Sequence, residues 1–349
     1  MRRNCIFYLL IIFVLLSCTK EKKTTAQKEA QSINYFDVLE EFQVELPIKY
    51  SFQYLKDLSF DGSFLYLCTR NNQYPILKIN LITNEIKPIG RMGRGPNEYP
   101  LPPNRISAHN NWLLVTDGPK SAFVYLFKDT TMVRRKFFSE GIRVYDVAII
   151  ENGRFLIAGA GGSKTYYLLV DSNLTAFYSY PFPPHSTITS AVLSIAWTAQ
   201  VKPGLDIILH PIHPDVAHIL RKKKNYRVEE IPLRLSDFPC ADNALTKNDF
   251  YKSIKNPLKL YRKIGKLIWL VMDEGTFQGA FIYGKPTQGR LQNTGVLFVK
   301  TNNSLHQKEI ELRDLTRFIP DKNKLYRYEP ILKENTLLLN IQHVKLKLK

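Results

Sequence analysis

The sequence predicts an all-β protein, a six-bladed β-propeller that is closed by an N-terminal strand and carries a short helical insert. Three observations lead to this fold class. Short apolar runs recur between Asn, Asp, Gly and Pro turns, six similar units follow one another, and the last unit lacks an outer strand. Because radial repetition leaves few exposed sheet edges, we expect a single propeller over residues 35–349.

Each predicted unit consists of a turn signal, an apolar first strand, a partner strand and, after a polar turn, an outer strand. The turn signals at Asp61 and Asn110 are 49 residues apart, and Asn152 follows 42 residues later. The first strands are apolar on both faces, as blades stacked face to face require, although a β-sandwich would also bury them. The predicted first strands are Phe64–Cys68, Trp112–Thr116, Phe155–Ala158, Asp206–Leu209, Leu267–Val271 and Thr336–Ile341.

Two segments complete the predicted architecture. The alternating run Phe42–Leu46 is a spare strand near the N-terminus, and it supplies the outer strand that the sixth unit lacks. Residues 236–257 break the β pattern, and Thr246 can cap a short helix that runs through Tyr251 and ends before Pro257. We therefore expect a ring closed by pairing of the two ends of the chain, with one helical insert.

The N-terminus has the pattern of a secretion signal. Arg2 and Arg3 precede the apolar run Ile6–Leu16, which is short for a membrane span. The run ends in Leu-Leu-Ser-Cys at 15–18, which resembles the lipobox of bacterial lipoproteins. That resemblance implies cleavage before Cys18 and acylation of Cys18, so we expect a signal peptide at 1–17 and a tether at 18–34. A transmembrane anchor with an incidental Cys is the alternative.

Composition and charge narrow the compartment and the partners. The net charge is +18, and it becomes +16 when residues 1–17 are removed. A lipoprotein at a bacterial cell envelope rarely meets nucleic acid, so we expect anionic lipid headgroups, acidic glycans or envelope proteins as partners. In the bacterial lipoproteins that the lipobox resembles, an acidic run after the Cys is associated with surface-exported members, and its absence here implies the outer membrane facing the periplasm. Cys68 and Cys240 either form a disulfide or remain as buried thiols.

The loop GRMGRGPNEYP at 90–100 is rich in glycine without being a phosphate-binding loop. A P-loop needs Lys and Ser/Thr after its last glycine and a following helix, whereas four prolines follow here. The loop resembles the G-R-x-G-x-G-P-x-E-Y loop of the six-bladed β-propeller lipoproteins of Bacteroidota, a family that mostly has no established activity. The resemblance implies a structural blade connection made by Gly90, Arg91, Gly93, Arg94, Gly95, Pro96, Glu98 and Tyr99.

Candidate binding residues come from positions just before the predicted first strands, where side chains of a propeller approach its axis. Arginines and tyrosines at such positions suit an anionic or sugar ligand, and blade-to-blade packing is the alternative role. The candidates are Arg105, Tyr145, Asp146, Arg262 and Tyr328. His210 and His213, next to Asp215, are weak candidates for a metal site, and their spacing matches no helix-borne motif. We expect no cofactor.

The sequence leaves two classes of function. We expect a membrane-anchored, non-catalytic lipoprotein whose propeller binds a glycan, a peptide or a protein partner. The alternative is a propeller-fold carbohydrate hydrolase or lyase, because the same scaffold carries both activities. No G-x-S-x-G elbow occurs, which excludes an esterase of that design, and no catalytic residue can be assigned. Acids converging at the axis would favour the enzyme.

Overall fold

The computed structural model describes residues 35–348 except 53–54, 70, 72, 96–97, 118–122, 139–141, 152, 162–163, 182–196, 203–205, 211–215, 223–225, 233–265, 274–275, 288–289, 302 and 312–316. The strands in these residues form six four-stranded antiparallel sheets. Five sheets consist of consecutive strands, and the sixth joins the N-terminal strand to the last three strands of the chain.

The strands follow one another around the ring in chain order. The N-terminal strand β1 (Phe36–Pro47) belongs to the sixth sheet, and a 3-10 turn, Ile48–Tyr50, follows it. The first sheet contains β2 (Leu55–Asp61), β3 (Phe64–Thr69), β4 (Ile76–Asn80) and β5 (Ile86–Pro88). The second contains β6 (Arg105–His109), β7 (Trp112–Thr116), β8 (Phe123–Lys128) and β9 (Thr131–Phe137). The third contains β10 (Ile142–Glu151), β11 (Arg154–Gly161), β12 (Lys164–Asp171) and β13 (Ala176–Pro181).

The remaining sheets complete the ring. The fourth sheet contains β14 (Trp197–Lys202), β15 (Asp206–His210), β16 (Val216–Lys222) and β17 (Tyr226–Pro232). The fifth contains β18 (Lys266–Asp273), β19 (Thr276–Thr287), β20 (Arg290–Lys300) and β21 (Leu305–Glu311). The sixth contains β22 (Phe318–Asp321), β23 (Lys324–Leu332) and β24 (Thr336–Leu346), with β1 outermost. The inner strands β2, β6, β10, β14, β18 and β22 each contact the next, and β22 contacts β2, which makes the fold a β-propeller.

The predicted fold class is wrong about the blade unit. In the first four sheets the prediction omitted the inner strand, so predicted first strands such as Phe64–Cys68 lie second from the axis. In the fifth sheet the predicted first strand Leu267–Val271 lies in the inner strand β18 and the omitted strand is β19, and in the sixth sheet Thr336–Ile341 lies in β24, third from the axis. The reason is composition, because inner strands such as Leu55–Asp61 and Arg105–His109 contain Asp, Ser, Arg and His and do not read as apolar runs. The only helical element among the described residues is the turn Ile48–Tyr50, and the predicted insert at 236–257 lies outside them.

Strand β1 closes the ring. It pairs antiparallel with β24 from Phe36, opposite Leu346, to Pro47, opposite Thr336, and it contains the predicted strand Phe42–Leu46. Its inward side chains Val44 and Leu46 are buried in a cluster that also holds residues of β2, β3 and β4. The core therefore consists of apolar layers between neighbouring sheets.

Side-chain oxygens of one inner strand accept hydrogen bonds from backbone N–H groups of the next inner strand, and these bonds hold the sheets in register. We call this set of bonds the interblade ladder. Asp57 Oδ2 accepts from Ile106 N at 2.9 Å, and Ser59 Oγ accepts from Ala108 N at 3.0 Å. Both bonds span 49 residues, which is the turn spacing of the first two units. Ser107 Oγ accepts from Ile149 N across 42 residues, the spacing of the next unit. The sequence repeat is thus the register of an interblade ladder.

The closing strand should contribute strongly to stability. We expect Leu46→Ala to lower the free energy of unfolding by about 2–5 kcal/mol, because the side chain is fully buried between two sheets. Val38→Ala in the same strand is the control, since Val38 is 48 % exposed. Urea unfolding would measure both. Equal losses in the two variants would contradict closure by packing of β1.

Removal of one hydroxyl of the interblade ladder, that of Ser59, should lower the stability of the protein. Ser59 Oγ accepts from Ala108 N and donates to Asp321 Oδ1 at 2.9 Å, so it links three sheets. We expect Ser59→Ala to cost about 1–3 kcal/mol, because a buried backbone N–H loses its acceptor. The exposed Ser179 in β13 is the matched control, and its replacement by Ala should be near neutral. If Ser59→Ala leaves the free energy of unfolding unchanged, the interblade hydrogen bonds do not stabilise the fold.

Candidate functional site

Four charged residues occupy equivalent positions in four sheets, three of them on inner strands and the fourth just before the inner strand β22. In each sheet the residue pairs with the position four residues after the start of the second strand. Asp57 lies opposite Cys68, Arg105 opposite Thr116 and Asp146 opposite Ala158. In the sixth sheet Arg317, just before β22, accepts through its carbonyl oxygen from Tyr328 N. In the order of the sheets, sixth, first, second and third, the charges alternate as Arg, Asp, Arg, Asp.

Three of these sheets enclose a depression at the axis, and the sixth sheet completes it through the β22–β23 hairpin. Its empty volume, including space open to solvent, is about 430 Å³. Its lining is mostly polar, with backbone and side chains of the inner strands. The lining residues are Asp57, Arg105, Ile106, Ser107, Asp146, Val147, Ala148, Pro320, Asp321 and Lys322.

The carboxylates of the depression accept hydrogen bonds from the strands around them. The oxygens of Asp57 accept from Leu58 N at 3.1 Å and from Ile106 N at 2.9 Å. Asp321 accepts from Ser59 Oγ and Phe60 N, both at 2.9 Å, and Asp146 Oδ1 accepts from Val147 N at 2.9 Å. Lys322 Nζ donates to the Phe60 carbonyl at 2.5 Å. These groups therefore fasten sheets together as well as line the depression.

Burial and neighbouring charges change the protonation of Asp57. The pKa of Asp57 is raised to about 7, chiefly by burial and in smaller part by the carboxylates of Asp146 and Asp321. Arg105, with Nη1 3.8 Å from Asp57 Oδ1, and the hydrogen bond from Ile106 N–H act in the opposite direction. Burial also raises the pKa of Asp321. A carboxyl that titrates near neutral pH in a cleft is typical of functional sites.

A second cation lies close to Arg105. Burial and the Arg105 charge lower the pKa of Lys56, the neighbour of Asp57 in β2. Arg105 is itself 19 % exposed, so its side chain lines the depression from a largely buried position. The positive and negative groups of the site are therefore interleaved, and no single sign dominates it.

The structure brings two of the predicted binding candidates, Arg105 and Asp146, together in the depression. Tyr145 is only 6 % exposed, and Tyr328, also 6 % exposed, donates from its hydroxyl to the Leu55 carbonyl at 3.4 Å. Both tyrosines therefore lie within the packed sheets, and Arg262 lies outside the described residues. Sequence reasoning missed Asp57, Asp321 and Lys322. The alternation Asp57-x-Ser59-x-Asp61 was the available signal, since such short polar side chains suit an inner strand.

The other candidates lie largely beyond what the structure describes. His210 ends β15 with its side chain undescribed, and His213 and the lipidation candidate Cys18 fall outside the described residues. Within the described part of the chain, no His, Cys, Asp and Glu residues group as metal ligands, and no helix is long and apolar enough to cross a membrane. Cys68 is a buried free thiol, and Cys240 is outside the described residues.

The glycine loop connects the first sheet to the second, and its contacts are internal. Glu98 accepts from Gly95 N at 2.7 Å and from Arg91 Nε at 2.6 Å, and these bonds lower the pKa of Glu98. Gly93 leaves no room for a Cβ beside the Glu98 carboxylate. Tyr99 is fully buried and packs edge-on against Tyr125 with ring centroids 5.0 Å apart. Arg94 is exposed, and Pro96 lies outside the described residues.

Gly90 should be intolerant of a side chain. Its φ is +64°, and a Cβ would lie 2.5 Å from Tyr99 Cε2. Gly62 has a similar φ of +59° with nothing within 4 Å, so it is a matched control. We expect Gly62→Ala to cost about 1–2 kcal/mol from the backbone alone and Gly90→Ala about 1–3 kcal/mol more from the clash. Equal unfolding free energies would show that Tyr99 does not constrain the loop.

Asp57 should make stability depend on pH. Its folded pKa of about 7 lies above the unfolded value of about 4, so between these values only the folded state binds the proton. The contribution of Asp57 to stability is therefore full below about pH 4 and falls as the pH rises to about 7. In denaturant unfolding, the free energy of unfolding should fall less between about pH 5 and pH 8 in Asp57→Asn than in the unaltered protein. A steeper profile in the variant would contradict the assignment.

Comparison with known proteins adds the following. No family model matches the chain, and no curated protein matches it. Among solved structures, a luciferin-regenerating enzyme is similar at 10% identity and TM-score 0.45, over 88% of this chain and 99% of that chain. A protein of unknown function from Bacteroides caccae is similar at 14% identity and TM-score 0.38, over 72% and 77%. A catalytically inactive virginiamycin B lyase from Staphylococcus aureus is similar at 8% identity and TM-score 0.45, over 86% and 99%.

Proposed function

We propose that the protein is a membrane-anchored, non-catalytic β-propeller lipoprotein of the bacterial cell envelope that binds a glycan, a peptide or a protein partner at its axis. The observation that carries the proposal is the axial depression, where charged side chains from the first, second, third and sixth sheets meet. Loops and inner-strand ends on a rigid propeller are suited to hold such groups in place. The lipid anchor and the envelope location follow from the sequence pattern at residues 1–34.

Binding rather than turnover is favoured by how the acids are used. Asp57 accepts one hydrogen bond from the neighbouring strand β6 and one from Leu58 in its own strand, Asp321 accepts two from β2, and both oxygens are engaged in each case. A carboxylate held in this way is fixed in position, and moving it to transfer a proton would break contacts between sheets. The depression is open to solvent, so one protruding group of a larger partner can enter it.

The alternative, a carbohydrate hydrolase or lyase, has one specific observation in its favour. Asp57 has a pKa of about 7 and faces Asp146, which belongs to another sheet. Glycoside cleavage commonly uses a pair of carboxyl groups of which one, the acid, has a raised pKa. The alternative is therefore tested in the same experiment.

The experiment uses the chain from residue 18 with Cys18→Ser, so that no lipid is added. Thermal stabilisation and calorimetry against a panel of glycans and short peptides report binding, because a ligand of the folded state raises the midpoint. Recovered ligand is then examined for cleavage. Binding with intact ligand that is lost in Arg105→Ala supports the proposal, with Arg91→Ala, 76 % exposed, as the control. Cleaved ligand would establish the enzyme, and binding equal in both variants would place the site elsewhere.

A further inference from the structure

The outermost strand of the second sheet, β9, carries three consecutive cations at 134–136, and the fold holds each of them in place. Each one donates a hydrogen bond to an uncharged oxygen of a neighbouring segment: Arg134 to Asn173 Oδ1 at 3.0 Å, Arg135 to the Gly95 carbonyl at 3.3 Å and Lys136 to the Leu174 carbonyl at 2.7 Å. Within the described part of the chain, no carboxylate pairs with any of the three. The bonds therefore fix the positions of three positive charges without neutralising them.

Exposed apolar side chains lie beside these cations. Phe137 is 54 % exposed and Val133 is 43 % exposed. The centroid of the Phe137 ring lies 5.0 Å from that of Phe123, and the Arg135 guanidinium lies 4.3 Å from the same Phe123 centroid, so ring and cation share one surface. Arg94, in the glycine loop whose backbone accepts the Arg135 bond, is also exposed. We call this surface the β9 patch, and it consists of Arg94, Val133, Arg134, Arg135, Lys136 and Phe137.

The acids of the two segments that form the β9 patch leave its charge in place. Strand β9 contains no acid, and the glycine loop contains one, Glu98. Glu98 pairs with Arg91 at 2.6 Å and accepts from Gly95 N at 2.7 Å, so its charge is balanced by Arg91. Because β9 is the outermost strand of its sheet, the side chains of both its faces border one open edge. The β9 patch thus presents four cations and two apolar side chains together, in a chain whose net charge is +18.

We propose that the β9 patch docks the propeller on the anionic headgroups of a lipid membrane. In such a contact Phe137 and Val133 enter the boundary between headgroups and acyl chains, and the four cations face the lipid phosphates. An acidic glycan or protein would use the cations without needing the exposed apolar side chains, and a second copy of the chain would bring like charges together. The proposal adds a second surface to the proposed function, and its choice of a membrane rests on the anchoring at Cys18 that the proposed function includes.

The predicted tether lets the β9 patch reach the membrane. Residues 18–34 are 17 residues, which can span at most roughly 60 Å when extended. A domain of the size of residues 35–349 has a radius of gyration of about 20 Å. An anchored propeller can therefore turn this surface towards the bilayer, and because the anchor keeps the local concentration high, a weak contact is sufficient.

Binding of the unlipidated chain to vesicles tests the proposal. The chain from residue 18 with Cys18→Ser carries no acyl group, so only the surface of the protein can bring it to a membrane. Flotation with phosphatidylcholine vesicles is compared with flotation with vesicles in which about a third of the lipid is phosphatidylglycerol. We expect binding at least about tenfold tighter to the anionic vesicles. This binding should weaken when the salt concentration rises from roughly 50 to 300 mM, because salt screens exposed charges.

Two variants separate the charge of the β9 patch from its apolar contact. We expect Arg94→Gln and Phe137→Ala each to weaken binding to the anionic vesicles about three- to tenfold, because one cation or one inserted ring is lost. Both side chains are exposed, so neither variant should change the urea midpoint by much. The matched controls are Lys308→Gln, an exposed cation of the outermost strand of the fifth sheet, and Leu332→Ala, 69 % exposed in the sixth sheet. The controls should change the binding by less than about twofold.

Three outcomes would overturn the docking proposal. They are absence of binding to either kind of vesicle, equal binding to both kinds, and equal losses in the patch and control variants. Binding of polygalacturonate that Arg94→Gln weakens, without binding to vesicles, would assign the β9 patch to an acidic glycan instead. The glycan and peptide panel for the axial depression separates this proposal from the proposed function. A positive panel without vesicle binding leaves the proposed function standing, and vesicle binding with a flat panel leaves the docking surface standing.

Discussion

The rest of the structure depends on the hydrogen bonds that join one inner strand to the next through side chains. In a propeller the inner strands of neighbouring sheets do not pair with each other through their backbones, so their N–H groups at the axis need other acceptors. Asp57, Ser59 and Asp61 supply these acceptors to the second sheet, and Asp321 supplies them to the first. The apolar layers between sheets hold the ring together, and these bonds set how far each sheet is shifted relative to the next.

The same constraint accounts for the charge at the axis. When inner strands use short Asp side chains to accept hydrogen bonds from the neighbouring sheet, several carboxylates come close to one another at the axis. Burial then raises the pKa values of Asp57 and Asp321. Arg105 lies between Asp57 and Asp146 in the order of the sheets, and it reduces that cost for Asp57. The fold thus produces a polar depression with a carboxyl group that titrates near neutral pH. The proposed binding site consists of the same charged side chains that join the sheets.

Part of this could be predicted from the sequence, and the limits have physical reasons. The apolar second and third strands and the closing strand are readable because burial on both faces selects continuous runs of large apolar residues, as in Phe64–Cys68. The inner strand β2 escaped notice because its alternating Asp57, Ser59 and Asp61 resemble a turn. Arg105 and Asp146 were found from their position in the repeat, while Asp321 was not, since β22 has only four residues. Tyr328 lies in β23, the second strand of its sheet, and not at the axis. The prediction placed it at the axis because it had overlooked the inner strand β22.

The most direct test of the account is hydrogen exchange at the amides of β6. Ile106 and Ala108 are predicted to exchange slowly, near the rate set by global unfolding, because Asp57 and Ser59 accept their hydrogens inside the ring. In Ser59→Ala the exchange of Ala108 should quicken while that of Leu114, paired within the second sheet, stays slow. Fast exchange of Ile106 and Ala108 in the unaltered protein would contradict the ladder and, with it, the origin proposed for the axial site.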